Sequence, residues 1–227
     1  MNDLDTINKM FSIFNNNYSN ALLDKTFKDG RIASIMDEAS LKEIIKKKCE
    51  ENDLVFEDMP PRAWCDFKIN GTPFNLKEGT GKTADNFSSK KGLVYAIVGK
   101  EIKDGASHKV ALDTIVLENY NNESDYGIIF FNKLTKQFKV SSLKNIDKDI
   151  IVPNGSNLPF QIKLGKLDDV LNHSSENQNI ELLKKYLQSI KKHNIDFSLL
   201  EDKIISEEND EIKEWIRTSF YRKRRSW

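Results

Sequence analysis

Cysteine and histidine, the residues that most often bind transition metals, are scarce in this sequence. Its 227 residues contain two cysteines, Cys49 and Cys65, and three histidines that lie far apart along the chain. Neither set has the spacing of a zinc site, so we expect no structural zinc. We expect both cysteines to be free thiols, as is usual in a reducing cytoplasm.

Long hydrophobic runs and net charge are also absent. No stretch approaches 18 consecutive apolar residues, and the first residues lack a basic flank followed by an apolar segment. We therefore expect a cytoplasmic protein with no membrane partner and no secretion signal. Lys and Arg together number 35, as do Asp and Glu, so any nucleic-acid site must be a local basic patch.

Motifs of two large enzyme classes are missing as well. The sequence has no G-x-S-x-G and no Ser/His/Asp set with a supporting motif, which argues against a serine hydrolase. The segment Gly79-Thr-Gly-Lys82 has too few residues for a G-x-x-x-x-G-K-[ST] loop, which argues against an NTPase.

The composition and the hydrophobic pattern of the sequence are those of one α+β domain, which we expect to span residues 1–227. Hydrophobic residues make up 38% and charged residues 31% of the chain. Helical spacing predicts helices over much of residues 4–52, over 87–98 and from about 180 to the C-terminus. Within the first of these ranges, Ser40 and Glu43 resemble a capping box that would open a helix. Short β-branched and aromatic runs predict strands at 64–69, 72–76, 114–117, 127–131, 138–142 and 160–164. We expect a mixed central sheet flanked by helices.

The dipeptide Asn70-Gly71 predicts a β-hairpin with a two-residue type I′ turn. In the register that this turn sets, Phe67 lies opposite Phe74 and Asp66 opposite Asn75. Side chains alternate between the two faces of a strand. The apolar face would then contain Cys65, Phe67, Ile69, Phe74 and Leu76.

The opposite face of this hairpin would carry Asp66, Asn75 and Lys77 within a few ångströms of one another. An ordinary exposed sheet face with a weak Asp–Lys contact is one interpretation. Hydrolysis of a phosphodiester is the other, because it needs oxygen ligands for Mg²⁺ and a cation that stabilises charge on the phosphate.

This arrangement resembles the active site of the PD-(D/E)xK nucleases, although Cys65 replaces the proline and Asn75 replaces the second acid. A longer set of blocks resembles a group of type II restriction endonucleases with N-I-K, A-D-N, G-L-x-Y-A and P-F-Q-I-K motifs. The blocks are Phe74-Asn-Leu-Lys77, Thr83-Ala-Asp-Asn86, Lys91-Gly-Leu-Val-Tyr-Ala96 and Leu158-Pro-Phe-Gln-Ile-Lys163. Together they span roughly residues 62–165.

The resemblance implies a restriction-endonuclease-like fold and a role for each motif residue. Asp66 and the Leu76 carbonyl would bind Mg²⁺, Asn75 would offer a neutral oxygen, and Lys77 would orient the attacking water or stabilise the transition state. A carboxylate from the preceding helix would replace the missing acid, with Glu43 as the first choice and Glu38 as the second. Glu43 is otherwise a solvated helix acid or a cap partner. Glu78 ranks lower because it points to the other face.

Several further residues are candidates for DNA contacts, each with a simpler alternative. Lys82 and Thr83 would lie near DNA phosphates or form an ordinary turn. Asn86, with Asp85, would contact DNA or cap the following helix. Gln161 and Lys163 share a strand face that would reach DNA or solvent. Arg222 and Arg224 belong to a basic run that contacts phosphates or is a solvated tail.

The function implied is that of a type II restriction endonuclease that uses Mg²⁺ to cleave double-stranded DNA at a palindrome. The length and the many Lys, Asn and Ile residues further resemble a member of this group that cuts an A/T-only site to blunt ends. The expected partners are a second copy in a homodimer and a cognate DNA methyltransferase. Another nuclease on the same fold and a non-catalytic DNA-binding module with a decayed site are the alternatives.

Overall fold

The helices of the protein precede, interrupt and follow its strands. The computed structural model describes residues 1–15, 38–87, 89–118, 123–152, 159–167, 182–183 and 185–187. The helices with defined bounds are α1 (Asp3–Asn15), α2 (Glu38–Glu50), α3 (Lys90–Val98) and α4 (His108–Leu117). Residues 182–183 and 185–187 are also helical, in agreement with the amphipathic spacing there. In these described segments, no helix has the length and apolar character needed to cross a membrane.

The strands form two sheets. In chain order they are β1 (Phe56–Asp58), β2 (Phe67–Ile69), β3 (Thr72–Gly79), β4 (Asp85–Phe87), β5 (Gly127–Asn132), β6 (Gln137–Ser142), β7 (Ile151–Val152) and β8 (Phe160–Ile162). The larger sheet has the order β1-β2-β3-β5-β6, and β4-β8-β7 form a smaller one. Strands β3 and β5 are parallel, whereas the other neighbours are antiparallel. The parallel pair requires a crossover, which contains α3 and α4. The predicted α+β class with a mixed central sheet is confirmed.

Both faces of the larger sheet are buried, each in its own core. On β5, Ile129 and Phe131 belong to a core shared with residues of α1 and α2, such as Ile7 and Leu41. Ile128 belongs to a second core shared with α3, α4 and the helical residues near 186. Because alternate residues of one strand enter different cores, β5 and its neighbour β3 are held rigidly from both sides.

The hairpin of β2 and β3 follows the predicted register as far as Phe67 and Phe74. Asn70 and Gly71 both have positive φ, 49° and 85°, as the predicted type I′ turn requires. Beyond that pair, the N–H of Asp66 donates to the carbonyl of Phe74 at 2.9 Å. Asp66 therefore lies opposite Phe74, as Phe67 does, in the manner of a β-bulge.

The bulge changes the direction of the chain before Asp66 and overturns two expectations. Asp66 was predicted to lie opposite Asn75, but it lies opposite Phe74 and reaches Asn75 only through its side chain. Cys65 does not share the face of Phe67 and Phe74, but packs in the core of α3 and α4. An extra residue in one strand shifts the alternation of side chains by one position, which accounts for the difference. Both Cys49 and Cys65 are free and buried, as the expectation of free thiols required.

Three local predictions are wrong. Residues 114–117 belong to helix α4, not to a strand, because Ser107 caps the helix and burial of Ala111, Leu112 and Ile115 outweighs the β-propensity of the branched side chains. Helix α3 begins at Lys90 with Ser89 as its N-cap, whereas Asp85 and Asn86 form strand β4.

The third error concerns Ser40, which lies within helix α2 and so cannot open it as a capping box would. The helix is present where predicted, but its described part already begins at Glu38. The predicted last buried face, around residues 212–216, lies outside the described residues.

Candidate active site

A cleft of about 390 Å³ opens beside the β2–β3 hairpin. Asp66, Asn75, Leu76 and Lys77 all line it, which confirms that the hairpin brings these four residues together. The remaining lining residues come from the start of α2, the segment before β2, the start of α3 and the loop before α4: Glu38, Arg62, Ala63, Trp64, Ser89, Lys90, Lys91, Ile102, Lys103, Asp104, Gly105 and Ala106.

One oxygen of Asp66 is held firmly by strand β3. Its Oδ2 accepts hydrogen bonds from the backbone N–H of Leu76 at 2.6 Å and from Nδ2 of Asn75 at 3.0 Å. No described residue donates a hydrogen bond to Oδ1. The carboxylate is therefore oriented through one oxygen, and the other is available to a ligand.

The backbone before Asp66 is also fixed from behind. The carbonyl of Trp64 accepts hydrogen bonds from Oγ of Ser89 at 2.7 Å and from the hydroxyl of Tyr126 at 2.9 Å. Ser89 Oγ in turn accepts from the N–H of Gly92 as the N-cap of α3. These bonds tie the Asp66 segment to α3 and to the residue before β5, in addition to its bonds with β3, so its position depends on three separate elements.

The environment of Asp66 disfavours its charged form. Burial raises the pKa of Asp66, and the nearby carboxylate of Glu38 raises it further. The N–H of Leu76 and the charges of Lys77 and Lys42 oppose this shift but do not cancel it. A bound cation between the two carboxylates would reverse the balance and favour ionisation.

The side chains at the cleft fit Mg²⁺ better than a softer metal. Asp66 and Glu38 supply carboxylates, Asn75 an amide oxygen and Leu76 a backbone carbonyl, and hard oxygen donors of this kind suit Mg²⁺. Within the described residues, no group of three or more His, Cys, Asp and Glu side chains is arranged to hold a metal. Asp104 also lines the cleft but pairs with Lys91. Asp66 and Glu38 are therefore the carboxylates left for a metal, and a bound Mg²⁺ would keep several water ligands.

Glu38, and not the first choice Glu43, is the helix acid that lies at the cleft. Glu43 is exposed on α2 and does not line the cleft. Five helical positions separate the two residues, which places them about 140° apart around the helix axis. Glu78 faces away as predicted, since it pairs with Lys133 at 2.8 Å.

Four cations at the cleft have no acidic partner among the described residues: Arg62, Lys77, Lys90 and Lys103. Burial lowers the pKa of Lys90. A fifth cation, Lys91, pairs with Glu101 and Asp104 and lies 5.7 Å from the centre of the Trp64 ring. Although the chain has no net charge, the cleft is a local basic patch of the kind that nucleic-acid binding requires.

Sequence reasoning identified Lys77 but missed Arg62, Lys90 and Lys103. A signal existed for one of them, because Lys90 and Lys91 occupy the first turn of α3, where positive charge opposes the helix dipole. A local charge that disagrees with its helix often marks a functional position. Arg62 and Lys103 carry no such signal, because they reach the cleft only through the tertiary fold.

The other proposed DNA contacts lie on the smaller sheet or near it. Lys82 and Thr83 are exposed in the turn that leads into β4. Asn86 on β4 and Gln161 on β8 are paired, and their side chains are hydrogen-bonded to each other. Lys163 follows β8 and is half-buried. Arg222 and Arg224 lie outside the described residues.

Comparison with known proteins assigns no function to this cleft. No protein-family model and no curated protein sequence matches the chain.

Proposed function

We propose that this protein is a type II restriction endonuclease that uses Mg²⁺ to hydrolyse double-stranded DNA at a palindromic site. The observation that carries the proposal is the cleft itself. There, Asp66 and Glu38 lie with Lys77 and with three further cations that pair with no acid among the described residues. Acidic groups for a divalent ion and basic groups for phosphates are needed together in phosphodiester hydrolysis, and neither set alone would indicate it.

The residues that would hold Mg²⁺ are Asp66, Glu38, the Leu76 carbonyl and the Asn75 amide oxygen. The chemistry that the ion supplies when bound is Lewis-acid stabilisation of phosphate charge and a water of lowered pKa. Asn75 has a second role within the protein, because its Nδ2 donates to Asp66 and fixes the carboxylate.

Lys77 is the residue best placed to act on the reacting phosphate. It lies two positions after Asn75 on the same face of β3, the central strand of the larger sheet. No described acid pairs with it, so its charge remains available to stabilise negative charge that develops on the phosphate. Arg62, Lys90 and Lys103 would hold neighbouring phosphates of the DNA backbone.

The remaining parts of the proposal follow from cleavage of duplex DNA. One cleft can cut one strand, so a homodimer would cut both strands of a palindrome by two-fold symmetry. The central mixed sheet with helices on both faces supports a restriction-endonuclease-like fold. An A/T-only site, blunt ends, a cytoplasmic location and a cognate methyltransferase belong to the same proposal.

The test is to incubate the protein with a long DNA and Mg²⁺ and to sequence the ends that form. We expect ends at one recurring palindrome. Asp66→Asn and Lys77→Ala should each abolish cleavage without lowering the melting temperature, because neither side chain fills a core. Lys46→Ala, which removes an exposed lysine of α2, should cut like the wild type. Cleavage by the Asp66→Asn variant at the wild-type rate would refute the site.

A DNA-binding module without nuclease activity is the second candidate. The observation that favours it is that, in the described part of the chain, no group of three acidic, His or Cys side chains is placed to hold a metal. That reading predicts binding of duplex DNA without cleavage in either Mg²⁺ or Mn²⁺. It also predicts that Asp66→Asn strengthens binding or leaves it unchanged, because the variant removes a negative charge from a basic cleft.

A further inference from the structure

The smaller sheet presents two amide side chains on one face. Strands β4 and β8 are antiparallel, with Asn86 opposite Gln161 and Phe87 opposite Phe160. The rings of Phe87 and Phe160 are buried and stacked, with centroids 5.1 Å apart. Side chains alternate along a strand, so the amides lie on the face opposite the buried rings. Asn86 is exposed and Gln161 is half-buried there.

A hydrogen bond fixes the orientation of the Gln161 amide. Its Nε2 donates to Oδ1 of Asn86 at 2.9 Å. An amide nitrogen carries two hydrogens and the amide oxygen accepts. With one hydrogen used by Asn86, Gln161 still has one N–H donor and its Oε1 acceptor for a ligand, side by side and in a defined order.

The support of this pair is rigid. The turn that enters β4 packs on the turn that follows β8, and the closeness of the two backbones allows only glycine at the contact. A Cβ on Gly165 would lie 2.2 Å from the carbonyl oxygen of Gly81, and one on Gly81 would lie 2.8 Å from Cα of Gly165. Neither amide therefore sits on a free loop, which favours specific recognition over adaptable contact.

The amide pair is also close to the cleft along the chain. Strand β4 ends at Phe87, two residues before Ser89, which lines the cleft. Two residues of chain span at most about 7 Å, which is about two base-pair steps of B-DNA. A duplex whose phosphate lies in the cleft would thus meet the smaller sheet within a few base pairs.

We propose that Gln161 reads an adenine base in the major groove, with Asn86 as the residue that positions it. In that groove adenine presents the N7 acceptor beside the N6 amino donor, which match the N–H and Oε1 of a glutamine. Guanine presents acceptors at both positions and would face Oε1 with its O6. This inference rests on the proposed function, because it takes duplex DNA as the substrate.

The experiment is to bind the full chain to duplexes with a randomised central segment, in Ca²⁺ in place of Mg²⁺, and to sequence the bound fraction. We expect adenine to be enriched at one position of each half-site. Gln161→Leu, of similar size, should reduce the preference for adenine over guanine by roughly 5- to 150-fold at that position alone. Gln161→Leu should leave binding to the remaining positions unchanged.

Variants of Asn86 separate positioning from general damage. Asn86→Ala removes the acceptor that orients Gln161 and should weaken the adenine preference. Asn86→Asp keeps an acceptor there and should restore the preference even if total affinity falls. The matched control is Gln137→Leu, since Gln137 is an exposed glutamine at the start of β6 on the larger sheet. This control should retain the wild-type preference.

The outcomes distinguish this inference from the proposed function. Unchanged adenine preference in Gln161→Leu would overturn the role of Gln161, whether or not the wild type cuts DNA. Wild-type binding without any base preference would overturn it too. Failure of the wild type both to bind duplexes and to cut them would refute the proposed function, and the inference with it.

Discussion

The cations of the cleft that have no acidic partner in the described part of the chain offer a quantitative test of DNA binding. Arg62, Lys90 and Lys103 all line the cleft, and none pairs with a described acid. Replacement of all three by glutamine would remove three positive charges and leave the proposed metal ligands intact. If each residue neutralises one phosphate, the slope of log K against log[salt] should become shallower by about 2.7.

The magnitude is large enough to measure. When the salt concentration rises from 50 to 200 mM, both proteins lose affinity for DNA. With a slope change of about 2.7, the factor by which the variant loses affinity is roughly 40 times smaller than the factor for the wild type. Fluorescence anisotropy with a labelled duplex in Ca²⁺ would give both slopes without cleavage. The variant should also bind more weakly than the wild type at the lowest salt concentration.

A control of equal charge makes the result specific to the cleft. Lys46, Lys47 and Lys109 are exposed and do not line it, so their replacement by glutamine changes the net charge equally. We expect this control to shift the slope far less, because counterion release requires contact with phosphate. Equal slopes for the two triple variants would refute the assignment of the cleft as the phosphate site.

Three further predictions concern the metal ligands and the stability of the fold. Glu38→Gln should raise the Mg²⁺ concentration needed for cleavage by roughly 10-fold or more, whereas Glu43→Gln should not. Adding Asn75→Asp should partly rescue the Glu38 variant. Equal dependence of the cleavage rate on Mg²⁺ in both Gln variants would exclude Glu38 as a ligand. Phe74→Ala should cost about 3–5 kcal/mol and so lower the melting temperature by about 6–20 °C, because the ring is fully buried; an unchanged melting temperature would contradict that burial. Burial raises the pKa of Asp125 from 3.8 to about 6, so its ionisation lowers the stability of the fold as the pH rises from about 4 to 6. Asp125→Asn should therefore gain stability relative to the wild type over that interval. Melting temperatures of the two proteins that change in parallel with pH would contradict this.

Local chemistry in the sequence determined the hairpin. Asn70-Gly71 favours positive φ at both positions without help from the rest of the chain, and the register as far as Phe67 and Phe74 follows from that turn. The period-two pattern of Phe74, Asn75, Leu76 and Lys77 likewise places Asn75 and Lys77 on one face. The α+β class could be predicted for the same reason, because periodicity is a local property.

Tertiary contacts decided what the local pattern left ambiguous. Residues 114–117 have strong β-propensity, yet they form the end of α4 because its apolar stripe is buried against α3. The chain before Asp66 is held by the bonds that Ser89 and Tyr126 make to the Trp64 carbonyl, from residues 25 and 62 positions away. No short-range pattern specifies contacts over such distances.

The composition of the cleft is the clearest case of this difference. The sequence by itself determined that Asn75 and Lys77 share one face of β3 and that the Asn70-Gly71 turn brings the chain near Asp66 back beside this strand. Only the tertiary structure decided that Glu38, Arg62, Lys90 and Lys103 join them. These four come from separate helices and loops, and their approach is set by the packing of those elements on the two faces of the sheet, which depends on contacts far apart in sequence.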